Sequence, residues 1–303
     1  MPRLACLCPL LVATSLLADS KPLRERVDDF CDMYHSGPAI QKRHEQWAKQ
    51  EPGNADAWIL PANALLKAAE VVNISAGNQK GAIADVVDPK TQKAVGTIAG
   101  TTDLRLVRQA SAMLADAAKK FPHRLDVHVG SMAAAQRTQD ISGVRVAALE
   151  LLRVVAKDPK AMRWIDGAVI EGDPVAKATG EVHSRIRWLY GLENDESDAA
   201  AHDCAVKALE LAPDNIELIN DAAIYHLYRG EWKQGRDYLL RAEKVSPRDW
   251  IVQHNIARAS AELGDKADAL RRLEAIIKAA PDTNDAKAAE KSIQSLGLRR
   301  KGK

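Results

Sequence analysis

Apolar residues recur at helical spacing along most of the chain. Leu23, Val27 and Phe30 lead into Met33 and Tyr34. Ala110, Leu114 and Ala117 repeat the pattern, as do Leu239 with Ala242 and Ala269 with Leu273. Spacings of three and four place such residues on one face of a helix. The pattern predicts helices over 21–35, 39–50, 56–69, 102–121, 125–138, 142–157, 198–211 and 284–295. One stretch differs. Gly77, Gly81, Gly96 and Gly100 break any helix there, and short β-prone runs at 84–87 and 94–98 flank the turn-type sequence Asp88-Pro89-Lys90-Thr91. Residues 71–100 therefore read as a β-hairpin or an ordered loop inserted between two helices.

The helices are punctuated at a fixed interval. Pro213, Pro247 and Pro281 are separated by 247 − 213 = 34 and 281 − 247 = 34 residues, and Gly230 and Gly264 are also 34 apart. A period shared by two residue types marks a repeat array. Each Gly follows a helical run and can take the left-handed conformation that ends it. Each Pro closes the next helix, because it has no N–H for the ladder and disfavours helix at the residue before it. The unit is helix A, glycine turn, helix B, proline turn, and neighbouring units must stack to bury their apolar faces. Upstream the interval loosens, to 37 between Pro122 and Pro159 and 54 between Pro159 and Pro213. The excess falls at 167–180 and in the GLENDES segment at 191–197. Pro61 lies inside a predicted helix and should kink it or delay its start.

Two units resemble the tetratricopeptide repeat (TPR) family. In 216–247 the matching residues are Ala223, Gly230, Leu239, Ala242 and Pro247, with Gly235 where a small Ala is usual. In 250–281 they are Asn255-Ile256-Ala257, Gly264, Ala269, Leu273 and Pro281. Trp58, Ala62, Ala64 and Leu65 are similar to a helix A of the same family. The resemblance implies an all-α, right-handed superhelical solenoid of about six helix hairpins with one short β-hairpin-like insertion. Its repeats would be degenerate over 21–160 and belong to the family over 161–283, clearest over 216–281. A capping helix and basic tail would follow over 284–303.

Composition adds bounds. Aromatic residues are scarce, at 4%, as expected where helices approach through small side chains. The formal charge of +2 is close to balance and argues against nucleic acid as a partner. At the N-terminus one Arg precedes the uncharged run LACLCPLLVATSLL and the small-x-small site Ala18-Asp19-Ser20. That layout predicts a signal peptide over 1–20, export to a periplasm or cell exterior, and no stable membrane span after cleavage. The alternative is an uncleaved anchor. Cys31 and Cys204 would then be the remaining cysteines, expected as two free, buried thiols.

Candidate chemistry is sparse. The eight histidines are scattered, and no HExxH, CxxC, P-loop, GxGxxG or GxSxG occurs. No enzymatic activity, cofactor or metal is expected. Asp195, Glu196 and Asp198 cluster in a predicted loop but lack the regular spacing of a calcium site. Asn73-Ile74-Ser75 is a glycosylation sequon.

What remains is a surface. The resemblance implies that the A helices line a concave groove for a protein or peptide partner, with Asn220, Ile224 and Tyr228 on one helix and His254, Asn255, Arg258 and Glu262 on the next. Asn can bond both N–H and C=O of a peptide backbone, and Arg can fork onto a carboxylate. The competing roles are structural: Asn220 and Asn255 as ties between repeats, Arg258 as a solvated side chain or an ion pair inside the array. The family's clamp for acidic C-terminal tails needs several basic residues, and no basic residue pairs with Asn220. The mixed groove suits an amphipathic segment better. The expected function is an exported scaffold that binds a partner during envelope assembly or secretion. The alternative is a non-catalytic subunit that presents substrate to an envelope enzyme through 71–100.

Overall fold

A computed structural model describes residues 23–34, 36–76, 84–87, 90–91 and 93–298. The signal peptide expected at 1–20, the Asp88-Pro89 part of the expected turn and the basic tail after Leu298 lie outside the described residues. Consecutive helices form an array of A and B partners. They are α1 (Leu23–Met33) and α2 (Gly37–Gln50), α3 (Asp56–Ala68) and α4 (Leu104–Lys120), and α5 (Leu125–Arg137) and α6 (Ile141–Lys157). Next come α7 (Pro174–Tyr190) and α8 (Asp195–Leu209), α9 (Ile216–Tyr228) and α10 (Trp232–Val245), and α11 (Trp250–Glu262) and α12 (Lys266–Ala279). A thirteenth, α13 (Asn284–Ser295), closes the end. From α3 onward each A helix packs on its own B helix, whereas α1 and α2 both lean on α3.

The 34-residue punctuation has a local cause at each point. Gly230 and Gly264 have φ of +72° and +88° and end α9 and α11 in the left-handed conformation. Asn215, Asp249 and Thr283 recur at the same interval, two residues after each Pro, and each accepts a hydrogen bond from a first-turn N–H of the next A helix. These N-caps satisfy donors that the helix cannot satisfy itself. Gly235 allows α10 to approach α9. A Cβ there would lie 2.5 Å from Leu227 Cδ2 and 3.3 Å from the Ala223 carbonyl.

Pro61 does not delay the start of α3, and the helix runs through it. A proline at 61 cannot donate to the carbonyl four residues earlier, that of Ala57. His44 on α2 fills the gap, with its Nδ1–H donating to Ala57 O at 2.7 Å. The broken ladder is repaired from the neighbouring helix.

The insertion carries three strands. They are β1 (Glu70–Ala76), β2 (Ala84–Val87) and β3 (Ala94–Thr102), in the antiparallel order β1-β3-β2. The runs at 84–87 and 94–98 pair with one another, and β1, which the sequence pattern does not single out, pairs with β3 from Glu70↔Thr102 to Ala76↔Gly96. The two ends of the insertion meet, with Asp103 N–H donating to Ala69 O at 2.8 Å.

The acidic residues expected in a loop stand instead in the first turn of α8, capped by Asn194. Carboxylates there are favoured by the helix dipole. Cys204 is buried, and burial pushes its thiol up to about 12; Cys31 is half-buried, and neither is in a disulfide.

Candidate functional site

The A helices are tied to one another by polar contacts, nearly one per step. Arg26 on α1 pairs with Asp56 on α3 at 2.8 Å. His183 on α7 lies 2.7 Å from Asp221 on α9. Asn255 on α11 donates through Nδ2 to Asn220 Oδ1 on α9 at 2.9 Å. Between α11 and α13, His254 Nε2 lies 2.8 Å from Ser292 Oγ. Of the seven residues that the sequence places on the groove, three are therefore engaged between repeats, Asn220, Asn255 and His254, and Glu262 is exposed at the end of α11. The side-chain bonds of those three set the register of neighbouring A helices.

The two histidines are shifted in opposite directions. The hydrogen bond that His183 donates to Asp221, aided by the carboxylate's charge, raises the His183 pKa despite partial burial. Burial raises the Asp221 pKa, against the pull of His183. Burial lowers His254, and the charge of Arg258 adds to that effect.

Ile224, Tyr228 and Arg258 remain open. Tyr228 is 61% exposed and makes an edge contact with Tyr190 at 6.1 Å. Ile224 is half-buried one turn before it. Arg258 is exposed, and its guanidinium lies over the Trp232 ring at 5.6 Å from the centroid. It forms no ion pair among the described residues. Stacking on the indole holds it at the surface with its N–H edge available. Tyr190 is itself fixed, its hydroxyl donating to Asp221 O at 2.8 Å.

Two features of this end of the array have no periodic signal. The first is a buried polar network between the last two repeats. Arg272, 8% exposed, donates to Glu243 Oε1 and Gln253 Oε1, each at 2.6 Å, and to Asp268 Oδ2 at 2.8 Å. Gln253 donates in turn to Glu243 Oε1 and Pro247 O, and Ser260 to Asp268. The second is a cleft of about 210 Å³ between α11 and α13, lined by Trp250, Ile251, His254, Asn255, Asp285 and Ala288, with Ile276 also in its lining. Asp285 and Ala288 come from the capping helix, and pairing α11 with α13 is what assembles the cleft.

Among the described residues no group of three or more His, Cys, Asp or Glu side chains could hold a metal ion. None of the described helices is long and apolar enough to cross a membrane.

The described helices stack as consecutive hairpins into a solenoid, the architecture that the TPR resemblance implies. No family model matches the chain, and no curated protein matches it in sequence. Among solved structures, YrrB, described as a TPR protein with an unusual peptide-binding site, is 13% identical and covers 82% of this chain and 97% of its own, with a TM-score of 0.44. A tetratricopeptide repeat protein from Parabacteroides merdae is 13% identical, covers 91% and 85% respectively, and scores 0.37. PilF of Pseudomonas aeruginosa is 13% identical, covers 63% and 84%, and scores 0.34. Likenesses at this level decide nothing about the site, which stands on the contacts described above.

Proposed function

We propose that the protein is a non-catalytic scaffold that holds a segment of a protein partner against its A helices, and that it does so after export, in envelope assembly or secretion. The observation that carries this reading is the division of labour along α9 and α11. Their Asn and His side chains are engaged in holding the repeats in register, while Tyr228, Ile224 and Arg258 stand open beside them. Tyr228, set edge-on against Tyr190, and Arg258, stacked on the Trp232 indole, are of the residue types that dominate protein recognition. The N-terminal sequence supports export.

A second reading assigns partner contact to the insertion, because its sheet leaves β1 and β2 as edge strands that offer unpaired backbone groups for strand addition. The geometry separates the two readings cleanly. The insertion begins and ends at hydrogen-bonded neighbours, Ala69 and Asp103, so residues 71–101 can be replaced by a short turn with the helices intact. Partner capture from the native source should be lost in Tyr228→Ala/Arg258→Glu and kept in the excised chain. The reverse pattern would sink the groove reading and favour the insertion.

A further inference from the structure

We propose that the cleft between α11 and α13 is a specificity pocket for a Lys or Arg side chain of the segment held on the A helices. The inference rests on the groove reading above and adds the chemistry of one partner residue.

The size comes first. A cleft of about 210 Å³ is smaller than the roughly 300–1,000 Å³ of pockets that take whole small molecules. It suits a single side chain. Its walls come next. Trp250, Ile251, Ile276 and Ala288 are apolar, and Ile251 is 63% exposed at the rim. Apolar walls alone would favour an aliphatic or aromatic guest. The polar atoms change that choice. Asp285 brings an exposed carboxylate that has no ion pair or hydrogen bond among the described residues, although its charge acts on His254. Asn255 uses its amide N–H on Asn220, which leaves Oδ1 as an acceptor without a partner among those residues. His254 is occupied with Ser292.

The cleft thus offers two free oxygen acceptors above an apolar lining that includes an indole. An acidic guest would meet acceptors with nothing to donate to them, and a neutral polar guest could donate to them but would leave the Asp285 charge unmatched. An aliphatic guest would leave both unused. A long cationic side chain satisfies every part: its methylenes lie along Ile251 and Ala288, and its head reaches the two oxygens. The Trp250 ring adds a cation–π surface for the head. The tie between Asn220 and Asn255, which looks purely structural, is what turns the Asn255 carbonyl oxygen into a free acceptor.

The test is to select a random 12-residue peptide library on the full chain and measure the recovered peptides against variants by fluorescence anisotropy. Recovered peptides should share one Lys or Arg position. Changing that residue to norleucine should weaken binding about five- to tenfold, the effect of losing a charge-assisted pair at a partly open site. Asp285→Asn should weaken it similarly and remove the preference for Lys over norleucine. Ala288→Trp, on an exposed face of α13, should fill the cleft and have the same effect, so a folding defect of one variant does not decide the matter. Arg258→Ala should weaken binding while keeping the Lys or Arg requirement. Peptides that lose affinity with Tyr228→Ala but show no cationic position, or ignore Asp285→Asn and Ala288→Trp, would overturn the cleft and leave the groove standing. Recovery of no peptide that depends on Tyr228 or Arg258 would overturn both.

Discussion

Replacing Arg272 by Ala is the sharpest test of how the last repeats are joined. The guanidinium is nearly buried and neutralises two carboxylates, Glu243 on α10 and Asp268 on α12, while bonding Gln253 on α11. Removing it leaves Glu243 without its cation and Asp268 with only the exposed Arg271. Breaking a buried pair from one side costs about 3–5 kcal/mol. Here the Glu243 and Asp268 side chains are 29% and 21% exposed, so water recovers part of the loss, and about 2–4 kcal/mol is the expected figure. Energy in a repeat array is shared chiefly between neighbours. The loss should therefore appear at α10 to α13 and not at α1 to α4. Hydrogen exchange read by mass spectrometry measures both quantities. A loss below about 0.5 kcal/mol, within the range of ordinary surface substitutions, or exchange raised equally along the whole chain, would refute the reasoning.

The same network has a signed pH dependence. The Arg272 hydrogen bond holds Glu243 below the usual carboxylate range. At Asp268 burial pushes upward, and hydrogen bonds from Arg272, Ser260 and Arg271 outweigh it, so that pKa is lowered as well. A lowered folded-state pKa stabilises the fold at pH above the unfolded values, about 4. That contribution is lost as pH falls through the folded values. The C-terminal repeats should lose protection on acidification, and Arg272→Ala should blunt that loss.

Four further outcomes follow from particular contacts. His44→Ala should cost about 1–3 kcal/mol by orphaning the Ala57 carbonyl, and much less in a Pro61→Ala background, where residue 61 can donate instead; a double-mutant cycle by urea unfolding reads the coupling. Gly235→Ala should destabilise by about 1–3 kcal/mol, because its Cβ would strike Leu227 and the Ala223 carbonyl. Gly180→Ala, in the interior of α7 with nothing within 4 Å, should stabilise by about 0.5–1 kcal/mol; equal effects at both glycines in thermal unfolding would contradict the packing. By NMR, His183 should titrate above the ordinary histidine value and His128, His202 and His254 below it, and Asp221→Asn should bring His183 down.

Period carried most of the architecture into view. Prolines and glycines at 34-residue intervals announce the turns, because few other residues end a helix so sharply. The caps Asn215, Asp249 and Thr283 share that interval, but a short polar side chain is a weaker sign than proline and the pattern alone does not single them out. Contacts between helices were not legible. Nothing in the sequence links His44 to Pro61, or Arg272 to Glu243, because each pair meets only after the helices pack. The binding residues sit between these extremes. The resemblance places Asn220, Asn255 and His254 on the A helices, but only their partners show that they are engaged between repeats. Arg258 has a seat on Trp232 that no spacing rule suggests, and Asp285 gains meaning only once α13 closes against α11.

The most direct measurement is site-specific photocrosslinking in the native cells. A benzophenone side chain would replace Tyr228 or Ile224 on α9, with Lys244 on the exposed face of α10 as the control. A groove scaffold predicts one shared crosslinked partner at both α9 positions, competed away by a recovered groove peptide and absent at Lys244. The same adduct at Lys244, or none at either α9 position in cells where the protein is made, would contradict it.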